Sequence, residues 1–238
     1  MAKKPTSPLK VTAKLTDGRV FSFDGIIMFD AILYHAWFAK YHPEVFETGE
    51  WMTHGSGYIG LPLRQTPENT GAGSVWAASM GIYAETAQSV EYWNKRPNFF
   101  GADKTDYLDQ DKGVISDSEG RYRAYRTPCV VRTVKDGVID FYCMGHKDEV
   151  LDLLSYIPAL GKKPAIGYGR VESWTAEDIG EDYSVTHPEY GLMRPIPVMT
   201  ALGAGGMTTP AKYPIREYGI KPPYWKPENR RLCYVPIR

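Results

Sequence analysis

The sequence predicts an α+β domain built on an antiparallel sheet. Alternating apolar and polar residues flank two turn signals, Asp17-Gly18 and Lys135-Asp136-Gly137, a pattern typical of strands in antiparallel sheets. Two other segments, 25–41 and 148–157, carry apolar residues at helical spacing. Each helix therefore has an apolar face, and we expect that face to pack on the sheet.

Two strands are predicted near the N-terminus. The segment from Leu9 to Thr16 reads LKVTAKLT, which alternates as a half-buried strand does. Asp17-Gly18 is a strong turn signal, and Val20 and Phe21 follow it as the start of a second strand. We therefore expect strand, turn and strand in this order.

A helix is predicted after these strands. Asp24 is placed to cap a helix that begins with Gly25, and Tyr41-His42-Pro43 ends it. The later segment from Val75 to Ile82 is apolar. It is either a buried strand or a short helix, because periodicity does not separate the two in so short a run.

The middle of the chain predicts an insertion and a hairpin. Lys95 to Gly120 is polar and rich in Asp and Gly, so we expect it to project from the core. Arg121 to Arg132 interleaves arginine and tyrosine along a strand that can contact phosphates and stack on unpaired bases. An ordinary edge strand protected by its arginines is the alternative. Val130 to Val134 and Val138 to Cys143 form the clearest hairpin.

The stretch from Phe141 to Val171 predicts a strand end, an amphipathic helix, a glycine-rich basic loop and a new strand. Pro158 and Gly161 end the helix, and the loop GKKPAIGYGR sets glycines beside two lysines, a tyrosine and an arginine. Glycine lets a backbone approach a ligand closely, and free N–H groups beside cations suit phosphate oxygens. This loop is the leading candidate for a functional site.

Two familiar phosphate motifs do not fit the loop. A Walker-type loop needs a glycine five residues before Gly161 and Ser or Thr after its lysine, but Tyr156 and Lys163 stand there. A dinucleotide fingerprint needs a third glycine and a following helix, whereas Gly167-Tyr168-Gly169 leads to Glu172 and a predicted strand. A tight helix-to-strand connection with solvated lysines stays an alternative.

The C-terminal tail from Met193 is rich in Pro and Gly, so extensive regular structure is not expected. Its aromatic residues either anchor a partner or pin the tail to its own domain. They are Tyr213, Tyr218, Tyr224 and Trp225.

Several phrases add to the glycine-rich loop. They are FDGIIMFDAILYHAWF, LPLRQT followed by VWAASMG, LLSYIPALGKKPAIGYGRVESW, EDYS and MRPIPV. In these phrases and their order, the chain resembles the RAMP superfamily of CRISPR-associated RNA-binding proteins, and within it the Cas-five-type subunit of type IV effector complexes. The resemblance extends from about Leu9 to Val198.

The resemblance implies a ferredoxin-like (RRM-like) fold with an antiparallel sheet, a glycine-rich loop and an inserted hairpin or thumb. It implies a single domain over residues 1–238, with the insertion or thumb around 95–132 and an extended tail over 193–238. Such proteins hold the 5′ handle of a CRISPR guide RNA and cap a filament of backbone subunits.

The resemblance also implies partners and contact residues. The partners are the guide RNA, backbone (Cas-seven-type) subunits, a large (Cas-eight-like) subunit, target DNA and an accessory helicase. No cofactor, metal or catalytic residue is expected. The predicted RNA-binding residues are Gly161, Lys162, Lys163, Gly167, Tyr168, Gly169 and Arg170 in the loop, and Arg121, Tyr122, Arg123, Tyr125 and Arg126 in the strand.

Length and composition are those of a globular protein. The 238 residues are 43% hydrophobic and 24% charged, which argues for one generous domain and against disorder. The three cysteines lie far apart without a C-x-x-C pair, so neither a disulfide framework nor a zinc site is indicated. No signal-type or membrane-spanning apolar segment is visible, which predicts a cytoplasmic protein.

The formal net charge of +0 weighs against a general nucleic-acid binder, but the charges are unevenly spread. Glu172 to Glu189 holds acidic residues without Lys or Arg, while Lys212 to Arg238 holds seven basic residues against two acidic ones. One face for RNA and one for protein would suit this pattern, and two solvated faces are the plain alternative.

Two other functions stay open. The first is a CRISPR repeat-RNA endonuclease that processes the guide precursor, with His54 as proton donor or acceptor and Tyr168 or Lys163 as support. His54 has no partner visible in the sequence, so it ranks first as loop structure. The second is a protein-only scaffold whose glycine-rich loop is simply a turn.

Overall fold

Antiparallel sheets and three α-helices make up the regular part of the chain that the computed structural model describes, residues 5–48, 59–66, 74–95, 124–162, 166–198 and 212–237. This is the predicted α+β class. The elements are, in chain order, β1 Ser7–Leu15, β2 Arg19–Phe21, α1 Phe29–Tyr41, α2 Glu44–Thr48, β3 Glu85–Lys95, β4 Tyr125–Val134, β5 Val138–Gly145, α3 Lys147–Leu154, β6 Val171–Asp178, β7 Thr186–His187, β8 Gly191–Leu192, β9 Ile196–Pro197, β10 Ile215–Gly219 and β11 Arg230–Tyr234.

The main sheet is centred on β1, which pairs antiparallel with β5 on one side and β6 on the other. On the far edge of β5 the chain from 76 to 82 runs antiparallel to it, through bridges from Ala78 to Cys143 and from Ile82 to Asp140. The sequence allowed either a strand or a short helix for Val75 to Ile82, and the structure shows that this segment is extended. Helices α1 and α3 contact each other and add Phe29, Leu33 and Leu154 to the core of this sheet.

A second sheet has the order β2, β4, β3, and it continues the main sheet without a change of register. Lys14 of β1 pairs with Val138 of β5, and Arg19 of β2 pairs with Thr133 of β4. The number of residues between Lys14 and Arg19 equals the number between Thr133 and Val138, so the pairing keeps one register across both sheets. We therefore describe β1–β2 and β4–β5 as two long strands, each kinked once.

The two kinks are the two turn signals, and they meet across the ribbon. Gly18 and Gly137 both have positive φ, and a Cβ on Gly137 would lie 2.8 Å from the Leu15 carbonyl oxygen and 3.4 Å from the Gly18 Cα. The predicted hairpin between Val130–Val134 and Val138–Cys143 is therefore wrong in its pairing. The turn residues bend a paired strand, and they do not reverse it.

The longest hairpin is formed by β3 and β4, which pair from Glu85 and Val134 out to Lys95 and Tyr125. Strand β3 precedes the predicted insertion and was not expected from the sequence. Residues 96–123, most of the predicted insertion, lie outside the described residues. The outer part of the hairpin has two solvated faces, because β3 carries no fully buried residue and β4 is exposed from Tyr125 to Pro128.

Helix α1 begins at Phe29, four residues later than predicted, and ends at Tyr41 as predicted. Asp24 does not cap it. The Asp24 carboxylate accepts a hydrogen bond from the Ile26 N–H at 3.1 Å and closes a local turn instead. No described helix has the length and apolar character needed to cross a membrane.

The tail contains more regular structure than expected, since β10, β11 and β9 form a third antiparallel sheet. Fully buried Arg194 fastens this part to the core. Its guanidinium donates to the carbonyl oxygens of Trp76, Ala78 (2.9 Å) and Ile220 (2.8 Å), and it lies 3.4 Å from the buried carboxylate of Asp30.

The hydroxyl of Tyr224 donates to the same Asp30 carboxylate at 2.6 Å. Burial raises the pKa of Asp30, and the charge of Arg194 opposes that rise. Tyr224 therefore attaches the tail to its own domain, which is one of the two roles that the sequence allowed for the aromatic residues of the tail.

Candidate nucleic-acid interface

The glycine-rich loop lies against the end of β2. The N–H of Lys162 donates to the Phe21 carbonyl at 3.1 Å, and the N–H of Gly169 donates to the Arg19 carbonyl at 2.7 Å. The two ends of the loop also meet, because the Leu160 N–H donates to the Gly169 carbonyl at 2.8 Å. The loop is thus held by backbone hydrogen bonds to a core strand.

Two of its glycines are required by contacts with the chain itself. Gly161 has φ +81, and a Cβ there would lie 2.4 Å from the Phe21 carbonyl oxygen. Gly169 has φ +73, and its Cβ would lie 2.0 Å from the Leu160 carbonyl oxygen. Gly167 differs, because its φ is +96 but no described atom lies within 4 Å of the position that its Cβ would take. Only at Gly167 does the described loop leave room for another molecule to approach its backbone.

The expectation that the loop presents free N–H groups is wrong at two positions. The N–H groups of Lys162 and Gly169 are already bonded to carbonyls of β2, and a bonded N–H is not available to a phosphate oxygen. The physical reason is that the glycines let the loop settle directly onto the strand. Gly169 therefore offers no phosphate contact through its N–H group, and Lys162 can contact a phosphate only through its side chain.

The cationic side chains of the loop remain available. Lys162 and Arg170 are exposed, and neither forms an ion pair with a residue that the structure describes. Lys163 lies outside the described residues. Exposed cations without an ion-pair partner in the described part of the chain can bind phosphate oxygens.

Tyr168 joins the loop to the β3–β4 hairpin. Its hydroxyl donates to both carboxylate oxygens of Glu91, at 2.6 and 2.7 Å, and the Arg19 guanidinium lies 4.7 Å from its ring centre. The hydrogen bond to Glu91 raises the pKa of Tyr168. The hydroxyl is therefore engaged with the protein, and Tyr168 serves as the contact between two parts of the predicted interface.

The predicted strand residues are divided between the two faces of the hairpin. Tyr125 lies on the same face as Glu91, the residue that Tyr168 contacts. It is four residues, or about 13 Å, along β4 from the residue that pairs with Glu91. Arg126 lies on the other face, where its guanidinium is 3.8 Å from the ring centre of exposed Tyr92. Arg121, Tyr122 and Arg123 lie outside the described residues. Tyr92 was missed, because the strand that carries it, β3, was not predicted from the sequence.

A groove beside the loop was not predicted from the sequence. It has a volume of about 650 Å³ and lies between the chain after β2, the start of the loop and the C-terminal sheet. The exposed rings of Phe23 and Trp225 and the cation Lys162 line it. These residues come from three distant parts of the chain, so no local pattern could have brought them together, although Trp225 was noted as a possible anchor.

Other site types find little support among the described residues. They contain no group of three or more His, Cys, Asp and Glu side chains placed to hold a metal ion. Cys129, Cys143 and Cys233 are buried and free. His54, the proton donor or acceptor of the endonuclease hypothesis, lies outside the described residues.

Comparison with known families identifies the chain. The model of the family described as CRISPR type IV associated protein Csf3 matches residues 7–236, nearly the whole sequence. The chain belongs to the Csf3 family. The resemblance to the Cas-five-type subunit of type IV effector complexes is thereby confirmed, and Csf3 membership places the chain among the subunits of such complexes. Comparison with curated proteins gave no match.

Proposed function

We propose that this Csf3-family chain is a non-catalytic RNA-binding subunit that holds the 5′ handle of the guide RNA. The glycine-rich loop receives handle phosphates through Lys162 and Arg170, with Lys163 between them. The face of the β3–β4 hairpin that carries Glu91 and Tyr125 extends the same surface. The chain caps the filament of backbone (Cas-seven-type) subunits and contacts the large (Cas-eight-like) subunit.

The order of the main sheet supports a ferredoxin-like core for this role. Residues 76–82 are parallel to β1 with antiparallel β5 between them, and β6 is parallel to β5 with β1 between them. Helix α1 lies in the first connection and α3 in the second. Two interleaved β-α-β units of this kind are typical of the ferredoxin-like arrangement.

One observation carries the proposal: two cations without an ion-pair partner among the described residues lie at loop ends that are hydrogen-bonded to β2, and Tyr168 ties the loop to an exposed hairpin. Loop ends fixed in this way hold the backbone of Lys162 and Arg170 in place before RNA arrives, so little backbone freedom is lost there on binding. On its other face the hairpin carries Arg126 stacked on Tyr92, a pair that presents a planar cation and an aromatic ring to solvent. Such groups suit phosphates and unpaired bases.

Replacing Lys162, Lys163 and Arg170 with alanine tests the proposal. In complexes expressed beside a CRISPR array and its neighbouring genes, we expect the triple variant to retain much less guide RNA at an unchanged melting temperature. The matched control is Lys135→Ala with Arg216→Ala, two exposed cations outside the loop and the groove. Equal guide-RNA retention by the triple variant and wild type would refute the loop assignment.

We propose no catalytic step, and the endonuclease alternative has a direct test. Pure protein is incubated with an unprocessed repeat RNA, and the products are resolved on a denaturing gel. Intact RNA is expected. Site-specific cleavage that disappears in His54→Ala would establish the endonuclease instead.

A further inference from the structure

The groove beside the glycine-rich loop, here called the aromatic groove, has the dimensions of a ligand site. Its floor and walls are formed by residues 21–24, 26–28 and 31, Gly161 and Lys162, β10 residues 217–219, Tyr224 and Trp225, and Arg230. Its volume of about 650 Å³ falls within the range of roughly 300–1,000 Å³ found for small-molecule and cofactor sites.

Two large rings face solvent in this groove. Phe23 is 67% exposed and Trp225 is 49% exposed. Neither ring stacks on another ring in the described part of the chain. A single exposed aromatic residue needs no explanation, but two that converge on one concave surface indicate a binding site.

The backbone that carries each ring is fixed. The Phe23 carbonyl accepts a hydrogen bond from the Arg132 guanidinium at 3.1 Å. Trp225 follows Tyr224, whose hydroxyl is bonded to buried Asp30, and a Cβ on Gly219 would lie only 2.5 Å from the Tyr224 carbonyl oxygen. Rings held this way lose little freedom when a flat ligand stacks on them.

The polar groups around the rings define the chemistry of the ligand. Lys162 supplies a cation without an ion-pair partner among the described residues, while Asp24 and Glu217 supply carboxylates in the same lining. Glu217 is ion-paired with Arg230 at 3.3 Å, and Asp24 accepts hydrogen bonds from the Ile26 N–H and the Tyr218 hydroxyl, so each carboxylate offers a ligand its remaining lone pairs. A cation suits a phosphate, and carboxylates accept hydrogen bonds from the exocyclic amino groups of bases. A flat aromatic ligand with one phosphate and amino donors matches all three features.

We propose that the aromatic groove binds two unpaired nucleotides of single-stranded RNA, with one base stacked on Phe23, one on Trp225 and a phosphate at Lys162. This inference rests on the proposed function, because Lys162 belongs to both the loop and the groove. RNA is favoured over a peptide because Lys162, a cation without an ion-pair partner among the described residues, lies in the lining together with the two exposed rings.

Fluorescence anisotropy with the full chain tests the groove, using 5′-fluorescein-labelled U15 and A15 RNA. Phe23→Leu and Trp225→Leu should each weaken binding on the order of 10-fold, the effect of losing one stacked base. The matched control is Tyr156→Leu, another exposed ring outside the groove, which should bind as wild type does. Thermal unfolding of each variant separates lost folding from lost binding.

The outcomes distinguish the groove from the loop. If Lys162→Ala with Arg170→Ala weakens binding and the two ring variants do not, the groove inference fails and the proposed function stands. If none of these variants weakens binding, both fail. Loss of binding to a neighbouring subunit in the ring variants, with RNA affinity unchanged, would assign the groove to a peptide and overturn the inference.

A second measurement on the unaltered protein does not depend on any variant. RNA carrying 5-iodouridine is irradiated in complex with wild-type protein, and the cross-linked peptides are mapped by mass spectrometry. An adduct on Phe23 or Trp225 is expected. Adducts found only on residues outside the groove would contradict the inference.

Discussion

Gly169 occupies the tightest position in the glycine-rich loop. We expect Gly169→Ala to lower the free energy of unfolding by on the order of 3 kcal/mol, because a Cβ would lie 2.0 Å from the Leu160 carbonyl at a positive φ. Gly167→Ala is the matched control, since it has a positive φ but open space, and it should cost about 1–2 kcal/mol. Urea denaturation measures both. Equal losses would show that the close approach of the loop ends is not required.

Arg194 is a second residue on which the fold depends. Arg194→Ala leaves the buried Asp30 carboxylate without its cation and three carbonyl groups without their donor, so we expect a loss of about 3–5 kcal/mol in the free energy of unfolding. The exposed Arg216→Ala should stay within about 0.5 kcal/mol of wild type. A similar small effect from both would contradict the role given to Arg194.

At the scale of elements, the sequence predicted α1, α3 and β1 because each has a clear apolar face. It missed β3, since a strand solvated on both faces carries no alternating pattern. It also assigned the wrong pairing to β4 and β5. A local turn signal reports that the chain bends, but whether the bend reverses the chain depends on the strand across from it, here the kink at Gly18.

The contact between Tyr168 and Glu91 links two elements, the loop and the hairpin. Tyr168→Phe removes the hydrogen bond while keeping the ring, so the global free energy of unfolding should change by less than about 1 kcal/mol. Local opening should increase, and hydrogen exchange at residues 166–170 and 89–93 should quicken. Unchanged exchange in both segments would show that the loop and the hairpin are not coupled through this contact.

At the scale of the whole molecule, the sequence located the loop cations but not their surroundings. Lys162 and Arg170 lie in one short segment, GKKPAIGYGR, so its local pattern of glycine and basic residues was enough to predict them as phosphate-binding residues. The bonded N–H groups of the loop and the aromatic groove depend on β2 and the C-terminal sheet, which the chain brings to the loop only on folding.

The zero net charge of the chain affects how it can bind RNA. A protein without overall positive charge gains little from long-range attraction to RNA, so specific cations must supply its phosphate contacts. This makes the salt dependence of binding an unusually direct readout of individual side chains.

The central claim, that Lys162 and Arg170 hold RNA phosphates, is tested most directly by that salt dependence. The affinity for single-stranded RNA is measured over a range of salt concentrations for wild type and for Lys162→Ala with Arg170→Ala. Each phosphate contact contributes about 0.7 to the log–log slope, so the double variant should be shallower by about 1.4, and Lys135→Ala with Arg216→Ala should match wild type. Parallel lines for the double variant and wild type would contradict the claim.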